Sequence, residues 1–309
     1  MIDFVAFGIV IDDVVQPDGQ TFMGVLGGGG PQTAWGMAAA LGSGARVGLA
    51  AGVGADFDAA SLRPLRECGV NVEGVQAVWE KTPRAWQIME YDGRRTHIWR
   101  APPQASATLP VMYQGARGLH WGLHPENPDL NSAALWQARG QIISLEPFKP
   151  PDEPLDENTL RQWVTSCVIF SPNWREAARI SGHDDEPGML RRFRAAGCRI
   201  LALRRGEQGA DVWDAQSGVG WRVPALPTTV VDTVGAGNAF CGALLARLLT
   251  PDRGVDSFSA ANMRAAAAQA VAAASYMVEQ IGIPHGLPAP AEYQARVAYA
   301  LERAVALRI

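Results

Sequence analysis

No block of like charge stands out in this chain: 27 Lys and Arg are set against 31 Asp and Glu, a net of −4 spread along 309 residues. Proteins that track a phosphate backbone or coat an anionic membrane concentrate basic residues, so nucleic acid and membrane surfaces are excluded as main partners. Cysteine is scarce. Cys68, Cys167, Cys198 and Cys241 are too scattered for a C-x-x-C pair, a zinc site or a disulfide framework, which leaves buried free thiols as the expectation. A long apolar run is missing too. The opening MIDFVAFGIVIDD has no basic flank and ends in two aspartates, unlike a signal peptide or a membrane span, and a cytoplasmic protein is expected. No internal repeat is found.

Apolar residues make up 48% of the chain, enough for a substantial core. Short runs rich in Val and Ile, among them FVAFGIVI, ARVGLAAGVG, GQIISLE, CVIFSP and RILALRRG, alternate with Ala-rich helical stretches from end to end. Most of these runs are apolar throughout, as strands covered on both faces must be, so the pattern predicts a mostly parallel sheet wrapped by helices. Helices are predicted from Thr33 to Leu41, closed by Gly42, and from Asp58 to Glu67, closed by Gly69. Between Val75 and Arg100 the rhythm breaks: Val78, Trp79, Trp86, Ile88, Met89, Tyr91, Ile98 and Trp99 favour strands around an Asp92-Gly93 turn. A small sheet beside the main layer, placed to act as a lid, is expected there.

The chemistry is concentrated in VVDTVGAGNAFCGALLARLL. A short β-branched run ends at Asp232-Thr233 and passes through Gly235-Ala236-Gly237 into a helix whose Phe240, Leu244 and Leu248 recur at helical spacing. The helix start is thereby fixed near Gly237, where unpaired backbone N–H groups and the helix dipole make an anion site and the glycines admit a phosphate. Tight packing alone is the other reading of such a turn.

These residues resemble the ribokinase-like (PfkB) carbohydrate kinase family, whose members carry Asp-Thr-x-Gly-Ala-Gly-Asp-x-Phe here. The resemblance implies a three-layer αβα sandwich with a small β-sheet lid, one domain over 1–309 with lid segments at about 11–26 and 76–103. It also implies ATP and Mg2+ as cofactors and a sugar or nucleoside-like small molecule as substrate. Gly235, Ala236 and Gly237 match the anion hole for the transferring phosphoryl group, and Asp232 and Thr233 match the nucleotide side. The catalytic aspartate is replaced by Asn238. Further segments are similar in the same order. Asp13 matches a sugar contact, and LGGGGPQTAWGMAAALG places Gly28 and Gly29 on the amino-terminal signature, with Thr33 where relatives usually have Asn. Val53 to Val75 resembles the family's Gly-x-Asp stretch. SPNWREA places Asn173 and Glu176 on the Asn-x-x-Glu motif that organises magnesium and phosphate. ALRRGEQGADVW places Gly206 and Gly209 beside the nucleotide, with Arg204 where relatives often have Thr; it reads either as a bidentate phosphate ligand or as an exposed strand-end charge. The Ala-rich helix before Gly282 and Pro284 resembles the family's last helix beside the adenine. SYMVEQIGIP together with Asn238 is similar to a divergent branch of the family.

An amide takes up no proton near neutral pH, though its carbonyl still orients a hydroxyl, and a missing general base typically costs about 10² to 10⁴ in rate. Three readings therefore stand side by side. The first is a kinase with altered base catalysis, in which another carboxylate or water takes the proton. The second is a catalytically silent nucleotide- or sugar-binding relative that acts as a sensor, in which Asn238→Asp should restore some transfer. The third is a non-kinase α/β fold with purely structural glycine turns. His120 and His124, four apart but interrupted by Gly122, read as a strand end and loop more than as a metal site. Trp86 and Trp99 are candidates for the substrate side of the lid, and the lid's strand edges suit a homodimer.

Overall fold

The computed structural model describes residues 1–92, 94–105, 108–124 and 128–308; Gly93 of the expected Asp92-Gly93 turn lies outside the described residues. In chain order the strands are β1 (Phe4–Phe7), β2 (Val10–Val15), β3 (Thr21–Gly27), β4 (Val47–Gly54), β5 (Asn71–Trp79), β6 (Arg84–Met89), β7 (Arg95–Ala101), β8 (Gly118–Leu123), β9 (Ile142–Pro147), β10 (Ile169–Phe170), β11 (Ile200–Arg204), β12 (Ala210–Asp214), β13 (Val219–Val223) and β14 (Val305–Arg308). The helices are α1 (Gly30–Leu41), α2 (Arg63–Glu67), α3 (Leu130–Ala138), α4 (Glu157–Thr165), α5 (Trp174–Ser181), α6 (Glu186–Ala195), α7 (Ala236–Leu248), α8 (Ala260–Met277) and α9 (Pro290–Glu302).

Ten strands form one sheet in the order β14-β13-β12-β11-β10-β9-β8-β1-β4-β5, parallel from β5 through β11 and antiparallel across the last three. The uniformly apolar strands are the buried ones, and β1 shows why. Phe4 and Ala6 pack to one side with Trp35, Phe240, Leu244 and Met263, while Val5 and Phe7 pack to the other with Trp136, Trp163 and Phe193. Successive side chains of a strand alternate between faces, so a strand apolar at every position has a helical layer on each side. This is the three-layer αβα sandwich expected from the resemblance. All four cysteines are free and buried.

Two helices of one layer lie unusually close. A Cβ on Gly36 of α1 would come within 2.2 Å of the Ala239 carbonyl oxygen, and one on Gly242 of α7 within 2.1 Å of the Thr33 oxygen. Only glycine allows that approach, and it brings the amino-terminal ends of α1 and α7 side by side.

A separate sheet runs β3-β2-β6-β7. It contains the lid segments expected from sequence, with one difference: Val75 to Trp79 continue β5 at the edge of the main sheet, and the second lid segment begins at Arg84. Among the described residues no helix is long and apolar enough to cross a membrane.

Candidate active site

Both neighbouring helices start on a left-handed glycine. Gly29 before α1 has φ 84° and Gly235 before α7 has φ 84°, and no side chain caps either helix. The first-turn N–H groups of a helix have no partner within it; Pro31 supplies none in α1, and in α7 the Ala236 N–H already donates to the Thr233 carbonyl at 3.3 Å, so it is the remaining donors and the two dipole ends that converge on one spot. Contacts there are tight. A Cβ on Gly29 would sit 2.8 Å from Asn238 Nδ2, and one on Gly235 would sit 2.5 Å from Gln32 Cγ.

Asn238, in the first turn of α7, does not stand alone. Its Nδ2 donates to Glu146 Oε1. Glu146, the penultimate residue of the apolar strand β9, is only 5% exposed. Its Oε2 lies 3.1 Å from Arg204 Nη1, Cys241 Sγ donates to it at 3.6 Å, and His120 Nε2 is 3.6 Å from Oε1. Burial pushes the Glu146 carboxyl up, but the Arg204 guanidinium beside it holds it below the usual carboxylate range.

Arg204, at the end of β11, is the hub of this cluster. Its Nη2 donates to the Ser171 carbonyl at 2.8 Å and reaches Glu176 Oε2 at 3.2 Å. A Cβ on Gly237 would fall 1.9 Å from Nη1, so the guanidinium is seated directly under the glycine turn. The exposed strand-end charge is thereby corrected: the side chain is 16% exposed and ion-paired to two buried carboxylates.

Asn173 and Glu176 are brought together, but as a helix cap. Glu176 N donates to Asn173 Oδ1 at 2.9 Å, and Asn173 N donates to Glu176 Oε2 at 2.7 Å, the reciprocal capping box that opens α5. Burial pushes Glu176 up, against the pull of Arg204. With Glu176 Oε2 shared between a backbone N–H and a guanidinium and Asn173 Oδ1 taken by the Glu176 N–H, Glu176 Oε1 is the side-chain oxygen of the pair left to ligate magnesium, which takes several oxygen ligands. The grouping of His120, Glu146 and Cys241, whose ligand atoms lie within 4.8 Å of one another, is no better suited: Arg204 already neutralises its one carboxylate, and burial raises the Cys241 thiol, so that it stays protonated.

On the lid side the two adjacent aspartates part. Asp13 points to the outer face of the small sheet, bound by Arg84 at 2.7 and 2.8 Å, by Arg100 at 2.5 Å and by the Gly24 N–H, where Trp86 lies under Arg100. Asp12 faces the glycines. A Cβ on Gly27 would be 1.8 Å from Asp12 Oδ2, and Gln87 Nε2 donates to Asp12 Oδ1 at 2.9 Å. The structure thus sets Asp12, not the sequence-matched Asp13, against the amino-terminal signature, because neighbouring strand residues alternate faces. Burial pushes the Asp12 carboxyl up to about 6.

Gln87 Nε2 has a second proton, which it directs at His97 Nδ1 at 3.0 Å. Nδ1 is then the acceptor and Nε2 carries the ring proton; burial pushes His97 down to about 4, so the ring is neutral at pH 7. His97 Nε2 and Gln87 Oε1 are buried with no hydrogen-bond partner among the described residues, beside an aromatic wall in which Trp99 stacks on Phe148 at 5.9 Å.

The remaining sequence candidates shape the surroundings. Thr33 is fully buried with its hydroxyl unpartnered among the described residues, and so is Oε1 of the neighbouring Gln32, whose side-chain carbons lie against Gly235. Gly28 leaves no room for a Cβ, which would lie 2.3 Å from Val10 N. Gly206 (φ 58°) and Gly209 (φ 92°) turn the chain from β11 into β12. Asp232 Oδ1 accepts from Val234 N at 3.1 Å and braces the turn into α7, with Thr233 exposed and Ala236 opening the helix. Sequence reasoning missed Glu146, Asp12, Gln87, His97 and Gln32; the one available signal was an acidic residue ending each of two apolar runs, at Asp12 and Glu146.

Against known proteins, residues 1–290 match the family described as pfkB family carbohydrate kinase. The cytidine kinase of Thermococcus kodakarensis is 30% identical over 253 residues, covering 80% of this chain and 88% of that protein. Among solved structures, a double mutant of the Vibrio cholerae fructokinase with fructose, ADP and potassium ion bound superposes with a TM-score of 0.76 at 19% identity, covering 96% of this chain and 98% of the other. The Giardia lamblia ribokinase does so with a TM-score of 0.75 at 20% identity, covering 97% and 100%.

Proposed function

The chain belongs to the pfkB family of carbohydrate kinases, and within it we propose that this protein moves the γ-phosphoryl group of ATP to a hydroxyl of a small sugar or nucleoside. The observation that carries this reading is the meeting of the two left-handed glycine turns, Gly29 and Gly235, at Asn238. Transfer from ATP needs little covalent help from the protein; positioning and charge stabilisation supply most of the acceleration. Main-chain donors at the mouth of α7 bind the phosphate being transferred, with Gly235, Ala236 and Gly237 as the anion hole. Asp12 receives the hydroxyls of the acceptor from the lid side, and the unpartnered His97 Nε2–H and Gln87 Oε1 offer it one donor and one acceptor. Closure of the small sheet excludes water that would otherwise compete for the phosphoryl group. Asn173 Oδ1 and Glu176 Oε2 are engaged in their capping box, and no step is assigned to a metal held by the pair.

Asn238 favours a second reading, a nucleotide- or sugar-binding relative without turnover, because no carboxylate stands at the position of the base. The two separate in a single assay. Acceptor-dependent ADP release over a panel containing ribose, fructose and cytidine, with a phosphorylated product, is expected of the kinase. Ligand binding without product would establish the silent relative, and binding of neither ATP nor any acceptor would overturn both.

Asp12 supplies a prediction of its own. Its raised pKa means that the ionised form is penalised in the folded state, so stability is lost as pH rises from the ordinary carboxylate range through about 6. The penalty at pH 7 is about 3 kcal/mol. Asp12→Asn is therefore expected to stabilise the fold at pH 7 by about 1–3 kcal/mol in urea denaturation, with the gain vanishing by about pH 4, while the KM for the acceptor rises. A loss of stability at pH 7 with acceptor KM unchanged would contradict both halves.

A further inference from the structure

Asn238 has two chemically different edges, an N–H edge and a carbonyl edge, and which one faces the acceptor decides what the residue does. A carboxylate accepts hydrogen bonds and donates none. Because Nδ2 of Asn238 is engaged by Glu146 Oε1, and because Arg204 at 3.1 Å keeps Glu146 ionised, the carboxamide has one permitted orientation. Its Nδ2 also lies against Gly29, 2.8 Å from where a Cβ would be, whereas Oδ1 is 3.9 Å from that point. Oδ1 is left turned away from both.

On the footing of the kinase reading, we propose that Glu146 is a positioning residue for phosphoryl transfer: it grips Asn238 by the N–H edge so that Oδ1 accepts the hydrogen bond of the attacking hydroxyl. The acceptor oxygen then forms its bond to the γ-phosphorus as the bond from phosphorus to the β–γ bridging oxygen breaks and ADP leaves. Asn238 cannot keep the hydroxyl proton, which passes to an oxygen of the transferred phosphoryl group and leaves on the phosphomonoester product. No side chain acts as base, so no ionisation at position 238 shapes the pH profile of kcat. The Glu146–Asn238 pair also explains how an amide is tolerated here: an Asp at 238 would place a second carboxylate against Glu146, and two carboxylates in contact cannot both ionise without cost.

The test is an exchange of the two side chains. In Glu146→Gln the amide at 146 meets Asn238 with either edge, so the orientation is no longer dictated; kcat is expected to fall about 10²-fold, as for a small misplacement of a reacting group, with KM for ATP little changed. Asn238→Asp alone sets two carboxylates in contact and is expected to melt earlier and stay slow at pH 7. The double variant E146Q/N238D restores a donor facing an acceptor and puts a base at 238. It is expected to exceed both single variants by about 10²-fold in kcat and to acquire an acid limb that the natural protein lacks. A double variant no faster than the faster single one, or Glu146→Gln with unaltered kcat, would overturn the proposal.

A readout independent of turnover separates its failure from that of the kinase reading. The carboxamide N–H resonances of Asn238, identified as those lost in Asn238→Asp, should shift and exchange faster with solvent in Glu146→Gln. If they do not move, the grip is absent whatever the protein catalyses; if they move while no acceptor is phosphorylated by any form, the kinase reading fails and the role in transfer falls with it.

Discussion

Exchange of Arg204 for methionine is expected to destabilise the protein by about 3–5 kcal/mol at neutral pH, the usual cost of leaving buried charge without its partner. Methionine keeps much of the apolar volume, so the loss reports charge more than a cavity. The guanidinium serves Glu146 at 3.1 Å and Glu176 at 3.2 Å, both nearly inaccessible to water. In the natural protein Glu146 is held below the usual carboxylate range, so its share of the stability is present above that range and lost as pH falls through its folded pKa. Without Arg204, burial meets weaker opposition, from His120 and Cys241 at Glu146 and from the Asn173 N–H at Glu176, and both carboxyls rise. An acid with a raised folded pKa is destabilising when ionised and recovers as pH falls. The difference between the two proteins should therefore be widest near pH 7 and narrow steadily on acidification to pH 5. Urea titrations at the two pH values measure it. A deficit of the same size at both would mean that Arg204 acts through packing alone, and the charged cluster under the α7 turn would lose its electrostatic role.

Sequence and structure part company at the points where packing, not local pattern, decides. The layers are legible because burial on both faces leaves a mark on the inner strands: FVAFGIVI and the ILAL of RILALRRG are apolar at every position, and β1 and β11 lie inside the main sheet. The helix start at Ala236 is legible because glycines with left-handed φ are confined to few kinds of turn. Where β5 ends is not, since Val78 and Trp79 favour a strand without saying which sheet they extend. The family resemblance is the guide to the acidic pair, and it points to Asp13 over Asp12. Which of two adjacent residues faces inward depends on the register of β2 against β6, and no local signal records that. Glu146 lies 92 residues from Asn238, and a contact of that span leaves no trace in either local stretch. Arg204 reads as either a phosphate ligand or a surface charge because the two carboxylates that claim it arrive from β9 and α5.

Substituting alanine for Gly235 should remove transfer far out of proportion to its effect on folding. The residue sits at φ 84°, where a Cβ costs about 1–2 kcal/mol, and a Cβ there would come within 2.5 Å of Gln32 Cγ, in the crease between the starts of α1 and α7. Relieving that contact must move Gln32 or tilt the first turn of α7, and either change misaims the N–H groups taken here to receive the phosphate. A single lost anion-hole donor costs about 10²–10³ in kcat, and the same is expected here, accompanied by a higher KM for ATP. Strain and site are separable with a second glycine. Gly254 has φ 78° and nothing within 4 Å of its Cβ position, so Gly254→Ala carries the backbone penalty without touching either helix start. Both variants should lose stability in thermal melts, Gly235→Ala the more by its contact with Gln32, and only Gly235→Ala should lose transfer. Equal loss of activity in both would reduce the glycine turn to a folding requirement. Full activity in Gly235→Ala would remove the turn from the site altogether, and with it the convergence of α1 and α7 on which the kinase reading depends.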